Sequence, residues 1–259
     1  MNRLVIKVGG ALLDSRDAVH HLFAQIQQLQ SQVQITVVHG GGALTENLLS
    51  QLGFVSEKIN GLRVTPAEQM PIVAGALAGT ANKILSAHAT VLGLNPVGLS
   101  LIDGNAITCT PLGAEYGAVG VPSINQCTLL DVLLKDGFLP IVSSIGCDAA
   151  GQLLNVNADH AATAIAELLN AQLVMLSDVS GVLNENNELL KSLDGKAVQQ
   201  LLNQGVISGG MSVKINAAFK AAKLLGQPVI IGSWHDSLTD ILNAVSGTHI
   251  IPSLSLEKA

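Results

Sequence analysis

The sequence predicts an α/β fold built on a mostly parallel sheet with helices over both faces. Three observations lead there. Short aliphatic runs alternate along the chain with longer stretches of helical period, the pattern of strands joined by crossover helices. The first run, residues 3–8, is rich in Leu, Val and Ile and reads as a strand covered on both sides. The 259 residues are 48% hydrophobic, 12% charged and 2% aromatic, enough for one large domain or two lobes around an aliphatic core.

Taken in order, Leu4, Val5, Ile6 and Val8 form that first strand, and Lys7 interrupts it. A buried ammonium is costly without a partner, so one is expected. The alternative is an edge strand whose lysine stem lies along apolar surface. A helical pattern over 15–31 precedes a strand at 34–38 and a helix over 43–52. In KINGLRV (58–64) the Asn60-Gly61 pair marks a type I′ hairpin. Thr65, Pro66 and Glu68 then read as cap, first helical residue and capping box of a long helix over 66–92, which holds Arg63 near the junction. Strands at 96–99, 139–142, 173–176 and 228–231 alternate with helices over 126–135, 157–170, 194–203, 212–225 and 236–245. The polar, turn-like 183–192 suggests that a second lobe begins near residue 171, dividing the chain into 1–170 and 171–259.

Charge and composition exclude several classes. The net charge is −6 and no Lys/Arg-rich run occurs, which argues against nucleic acid or an acidic membrane as partner. Mean hydropathy is +0.46, yet the longest apolar stretch, 71–94, carries Asn82, Lys83 and His88 and falls short of a membrane span. Lys7 and two glycines break any signal-peptide core. Cys109, Cys127 and Cys147 are far apart and read as reduced thiols of a cytoplasmic protein. The seven histidines show no ligand spacing, so no metal site built by the protein is expected.

Four polar or glycine-rich stretches follow strands or open helices: KVGG (7–10), VHGGGALTEN (38–47), LNVNAD (154–159) and ISGGMSVK (207–214). Ligands gather at the carboxyl ends of parallel strands. Glycine lets backbone N–H groups approach an anion there, and a helix N-terminus favours negative charge. With Lys7 and Lys214 added, the ligand has several negative charges, and polyphosphate fits. Thr45 occupies the sixth position of a would-be G-x-G-x-x-G, and no G-x-x-x-x-G-K-[ST] occurs, so neither standard nucleotide fingerprint is present. Plainer uses compete at each position. Gly40–Gly42 equally suits a tight turn, Lys214 a solvated surface, Asp159 a helix start, Asp178 a strand-ending turn, and His39 a hydrogen-bonded structural role. Asn155 and Asn157, two apart, face one way if the segment is extended.

Together IKVGG, VVHGGG, NGLRVT, GALAGTANK, SSIG, LNVNAD, LSDVSGV and GGMSVKINAA, in this order, resemble the amino-acid kinase family over nearly the full chain. The likeness is closest to members acting on N-acetyl-L-glutamate in arginine biosynthesis. The resemblance implies a three-layer αβα sandwich with an N-terminal amino-acid lobe and a C-terminal ATP lobe. It implies transfer of the ATP γ-phosphoryl group to the substrate γ-carboxylate, with Mg²⁺ carried by the nucleotide. Lys7, Lys214, Asp159 and Gly10 would be catalytic, Asp159 holding both lysines. Gly41, Gly42, Arg63, Asn155 and Asn157 would bind the amino-acid substrate, Arg63 taking its α-carboxylate. Gly9, Ser177, Asp178, Val179, Ser180, Gly181, Val182, Gly209, Gly210 and Met211 would serve the nucleotide. A cytoplasmic homodimer is implied as well. With the first strand starting by Arg3, the resemblance leads us to expect neither the extra N-terminal helix of arginine-inhibited relatives nor inhibition by arginine. Sibling kinases such as glutamate 5-kinase, and a non-catalytic sensor on the same scaffold, are the competing readings.

Overall fold

Strand β1 (Asn2–Val8) shows how the sheet comes to be covered on both faces. Leu4, Ile6 and Val8 enter one apolar cluster and Val5 enters another on the opposite side, following the period of two along a strand. The computed structural model describes residues 2–204, 207 and 209–252. From β1 the chain runs through α1 (Arg16–Leu29), β2 (Val33–His39), α2 (Gly42–Gln51) and the hairpin β3 (Lys58–Ile59) and β4 (Leu62–Arg63). Next come α3 (Met70–Ala74), α4 (Asn82–Val91), β5 (Pro96–Ser100), β6 (Ile107–Pro111), β7 (Val119–Ile124), α5 (Thr128–Lys135) and β8 (Leu139–Ser143). β9 (Ile145–Cys147), β10 (Leu153–Val156), α6 (Ala158–Leu169) and β11 (Gln172–Ser177) lead to β12 (Ser192–Leu193), α7 (Gly195–Asn203), α8 (Gly209–Leu225), β13 (Val229–Ser233), α9 (Leu238–Leu242) and β14 (Thr248–Ile250).

The main sheet has eight strands in the order β12-β14-β13-β11-β1-β2-β8-β5, parallel except where β13 meets β14. β1 is central, bonded to β11 through Leu4↔Gln172 and to β2 through Asn2↔Val33. The edge-strand alternative for Lys7 is thereby excluded. Apolar residues of α1, α4 and α9 pack on one face, those of α5, α6 and α8 on the other. This is the expected αβα sandwich. A four-stranded sheet, β6-β7-β10-β9, and the β3–β4 hairpin stand beside it.

Three local expectations need correction. Thr65 does not cap a helix: it is fully buried, forms a bridge with Gly117, and its hydroxyl bonds the Arg63 carbonyl and the Asn155 amide. That tertiary partnership takes the hydroxyl a capping box would have used, and the helical stretch begins one step later as a 3₁₀ turn at Ala67–Gln69. The expected helix over 66–92 is also not uniform, because Gly75–Ala81 widens into a π-helical segment between α3 and α4. Nor does the last helix fill 236–245. Ser237 caps it and Ala244 turns to φ +58 soon after its end. The hairpin turn, by contrast, is of the expected kind, with φ +52 at Asn60 and +81 at Gly61.

Candidate functional site

Lys7 lies on the Val5 side of β1, the face that α6 covers. α6 starts where the Asn157 side chain accepts hydrogen bonds from the Asp159 and His160 amides. That cap holds the first turn and sets Asp159 Oδ1 2.8 Å from Lys7 Nζ, with side chains only 16% and 19% exposed. The charge in the middle of the strand thus has its partner, and the carboxylate sits at a helix N-terminus that favours it.

Two glycine loops meet at the carboxyl ends of β1 and β2. A Cβ on Gly10 would lie 2.7 Å from the Gly42 amide nitrogen, and one on Gly41 would lie 2.8 Å from Leu77 Cδ2. At Gly10 the close atoms are backbone, so only glycine allows that approach, whereas at Gly41 the Leu77 side chain would have to give. Gly42 differs, with nothing within 4 Å of its would-be Cβ. His39 anchors the second loop from below: Nδ1 pairs with the Gly40 carbonyl at 2.8 Å and Nε2 with the Asn82 amide at 3.1 Å. Asn82 also donates to the Ile141 carbonyl at 2.8 Å, tying the loop to β8. Burial pushes the His39 imidazole down to about 4. It is neutral at pH 7, so Nδ1–H donates to Gly40 and Nε2 accepts from Asn82, the structural role among the alternatives.

These loops form the floor of a cleft of about 230 Å³, also lined by Lys7, Gly9, Lys58, Arg63, Ser144, Asn155 and Asn157. Arg63 reaches it from the hairpin. Its Nη1 pairs with Glu46 Oε2 at 2.7 Å and with Ser56 Oγ, and its Nη2 donates to the Gly42 carbonyl at 3.3 Å. The Arg63 hydrogen bond, above other causes, holds the Glu46 carboxyl below its ordinary range. Asn155 donates to Thr65 Oγ1 at 3.0 Å, joining β10 to the foot of the hairpin. Asn155 and Asn157 both line the cleft as their spacing suggested, but the oxygen of Asn157 is taken up by the α6 cap.

A second, small cavity of about 20 Å³ is lined by Lys7, Asp159, Met175, Leu176, Ser177, Lys214 and Ile231. Two lysines more than two hundred residues apart therefore face one space. Lys214 is held there by Asp178, at 3.3 Å, rather than by Asp159. Among the described residues Lys7 is the one cation paired with Asp159, and Asp178, just after β11, reaches the Lys214 ammonium instead. The Asp178 carboxyl is held below its usual range, first by a backbone N–H and then by the Lys214 ammonium. Ser177 Oγ is buried without a partner among the described residues. Beyond it Val179, Ser180, Gly181, Val182, Leu183, Ile207 and Met211 line a space of about 410 Å³. Gly181 has φ +145, and a Cβ there would press on Leu189 at 2.7 Å. Gly209 and Gly210 open α8, three residues earlier than expected, so Lys214 stands in the second turn. Ser208, within the glycine-rich approach, lies outside the described residues.

Sequence reasoning missed Lys58, Glu46, Ser56, Ser144 and Trp234. Lys58 was within reach: a two-residue turn at Asn60-Gly61 places Lys58 opposite Arg63. Trp234, the one tryptophan, is buried after β13 and lies 4.0 Å from where a Gly9 Cβ would be. No local pattern marks it.

The sequence profile of the amino acid kinase family matches residues 2–233. An acetylglutamate kinase of Serratia proteamaculans is 49% identical over 97% of this chain and 100% of its own length. One from Colwellia psychrerythraea is 48% identical over 96% and 97%. A crystal structure of a Streptococcus mutans protein superposes with a TM-score of 0.81 at 32% identity, covering 96% of this chain and 98% of that one.

Proposed function

The chain belongs to the amino acid kinase family, and on that premise we propose that it phosphorylates the γ-carboxylate of N-acetyl-L-glutamate with ATP, giving N-acetyl-L-glutamyl 5-phosphate in arginine and ornithine biosynthesis. One observation carries the reading. Lys7 borders both the cleft that holds Arg63 and the small cavity that holds Lys214. A group passing from a nucleotide on one side to a carboxylate on the other would pass this ammonium.

The acceptor is ionised at neutral pH, so no general base is needed. His39, fixed and neutral, does not offer one. What the reaction needs is the approach of one anion to another and stabilisation of the charge spread over the moving phosphoryl group. Arg63 and the Gly41–Gly42 amides would hold the amino acid, with Asn155 and Asn157 along the cleft wall. Lys7 and the Gly9–Gly10 amides would meet the transferring group, and Lys214 the leaving side. Asp159 keeps Lys7 in place between turnovers. The space beside Val179, Ser180, Gly181, Val182 and Met211 suits a purine base, with Ser177, Asp178, Gly209 and Gly210 at its phosphate end. On this reading residues 1–170 carry the amino-acid site and 171–259 the nucleotide site. The cleft lined by residues 7–158 and the cavity lined by residues 179–211 support that division; residues 253–259 lie outside the described part.

Among the described residues no three His, Cys, Asp or Glu side chains group as metal ligands, and Asp159 and Asp178 are each held by a lysine. On the family resemblance Mg²⁺ would enter on the ATP phosphates and neutralise part of their charge. No helix among the described residues is long and apolar enough to cross a membrane. Family resemblance carries the cytoplasmic location and the homodimer, and sedimentation of the purified protein checks the latter.

Trapping the acyl phosphate with hydroxylamine tests the substrate. Hydroxamate should form with ATP–Mg and N-acetyl-L-glutamate and not with glutamate, aspartate or UMP. Product with glutamate at equal efficiency would overturn the assignment.

A further inference from the structure

We propose that Glu46 is a positioning residue for substrate recognition: it fixes the Arg63 guanidinium so that one donor edge stays open to the α-carboxylate of the amino acid. The inference rests on the proposed role of Arg63 and deepens it.

A guanidinium has five N–H donors in a rigid plane. Glu46 Oε2 and Ser56 Oγ take the Nη1 hydrogens, and the Gly42 carbonyl takes one from Nη2. Among the described residues this leaves Nε–H and the second Nη2–H without a partner. A carboxylate is best met by two parallel donors on one edge of the fork. The three contacts therefore occupy Nη1 and one Nη2 hydrogen and leave two donors, Nε–H and an Nη2–H, for a ligand.

Placement supports positioning rather than competition. Glu46 stands on α2 four residues after Gly42, and its side chain is 47% exposed while that of Arg63 is 11% exposed. Arg63 lines the cleft, whereas Glu46 is absent from its walls. The carboxylate thus pairs with the guanidinium without being one of the groups that line the cleft. Ser56 joins Glu46 and Arg63, and Lys58, opposite Arg63 in the hairpin, adds positive charge near Glu46. Without Glu46 only Ser56 and the Gly42 carbonyl would hold the arginine, and more of its ordering would fall to the substrate, at a cost in affinity.

The test is steady-state kinetics of Glu46→Ala and Glu46→Gln, with thermal melts of each. Glu46→Ala should raise KM for N-acetyl-L-glutamate about tenfold, with kcat within about twofold and KM for ATP unchanged. Glu46→Gln, which keeps an acceptor oxygen, should fall between. A second readout uses 4-acetamidobutanoate, which has the acetamido group and the reacting carboxylate but no α-carboxylate. The preference in kcat/KM for N-acetyl-L-glutamate over this analogue should shrink about tenfold in Glu46→Ala, a change that general loosening would not produce. If Glu46→Ala melts lower than the parent, Glu46→Gln and the analogue ratio decide. An unchanged KM overturns the inference. A lowered KM does so too, because Glu46 would then be a resident competitor for Arg63. An unaltered enzyme that makes no acyl phosphate from N-acetyl-L-glutamate would bring down the substrate assignment and the inference together, whereas normal turnover with an unchanged analogue ratio brings down the inference alone.

Discussion

Replacing Gly10 by alanine would place a carbon 2.7 Å from the Gly42 amide nitrogen and 3.2 Å from the Gly41 Cα and carbonyl carbon. All three are backbone atoms, so no side chain can rotate out of the way. Ordinary contact begins near 3.4 Å, which means the loops must part by about 0.7 Å. The atoms pushed are those proposed to face the substrate, and misplacement on the order of 1 Å can cost about 10²-fold in rate. We expect kcat to fall by roughly 30- to 100-fold. Overpacking of a close contact costs about 1–3 kcal/mol, which for a chain of this size lowers Tm by roughly 5 °C. Hydroxamate formation at saturating ATP–Mg and N-acetyl-L-glutamate measures the first effect and thermal unfolding the second. Gly42→Ala is the stability control, since its Cβ would meet nothing within 4 Å, and its Tm should stay within about 2 °C. Near-normal kcat and Tm in Gly10→Ala would show that the close approach of the two loops is not what shapes the site.

Lys7→Ala and Lys214→Ala should each lower kcat by about 10²–10³-fold, and their melts should differ. Lys7→Ala leaves the half-buried Asp159 without its cation and should lower Tm, whereas the exposed Lys214–Asp178 pair contributes little to stability. Arg63→Lys should raise KM for the amino acid more than it lowers kcat, because an ammonium cannot present two parallel donors. The pH dependence of unfolding should register His39. Its folded value of about 4 lies below the ordinary 6.5, so the unfolded chain binds the proton first. That contribution is fully present above 6.5 and is lost as pH falls toward 4, by on the order of 3 kcal/mol. His39→Gln should flatten the decline in Tm across this window, and an identical decline in parent and variant would contradict the assignment of a buried neutral imidazole.

Much of the frame is legible locally. The nearly continuous aliphatic run of residues 3–8 identifies a strand covered on both faces, and Asn60-Gly61 identifies the turn, because both depend on neighbours two or three positions away. Lys7 announces by its position that a counter-ion must exist. The same local rules fail at Thr65, whose hydroxyl goes to Arg63 and Asn155, and at Gly75–Ala81, where the helix widens beneath the glycine loops. The first departure is made by a partner distant in sequence, Asn155. So is the arrangement of Arg63, whose orientation depends on Glu46 in another element.

The sequence by itself determined six strands of the main sheet, most of the helices, the hairpin turn and the residues able to hold anions, since backbone preference and side-chain period act over a few residues. The four-stranded sheet β6-β7-β10-β9 and the short β12 and β14 were not legible in it. Which of those residues meet was decided by tertiary structure alone. Lys7 finds Asp159, Gly10 interlocks with Gly42, and Lys7 and Lys214 share a cavity. The reason is strand order: setting β11 and β2 on either side of β1 brings their carboxyl ends together, and no local pattern encodes that neighbourhood.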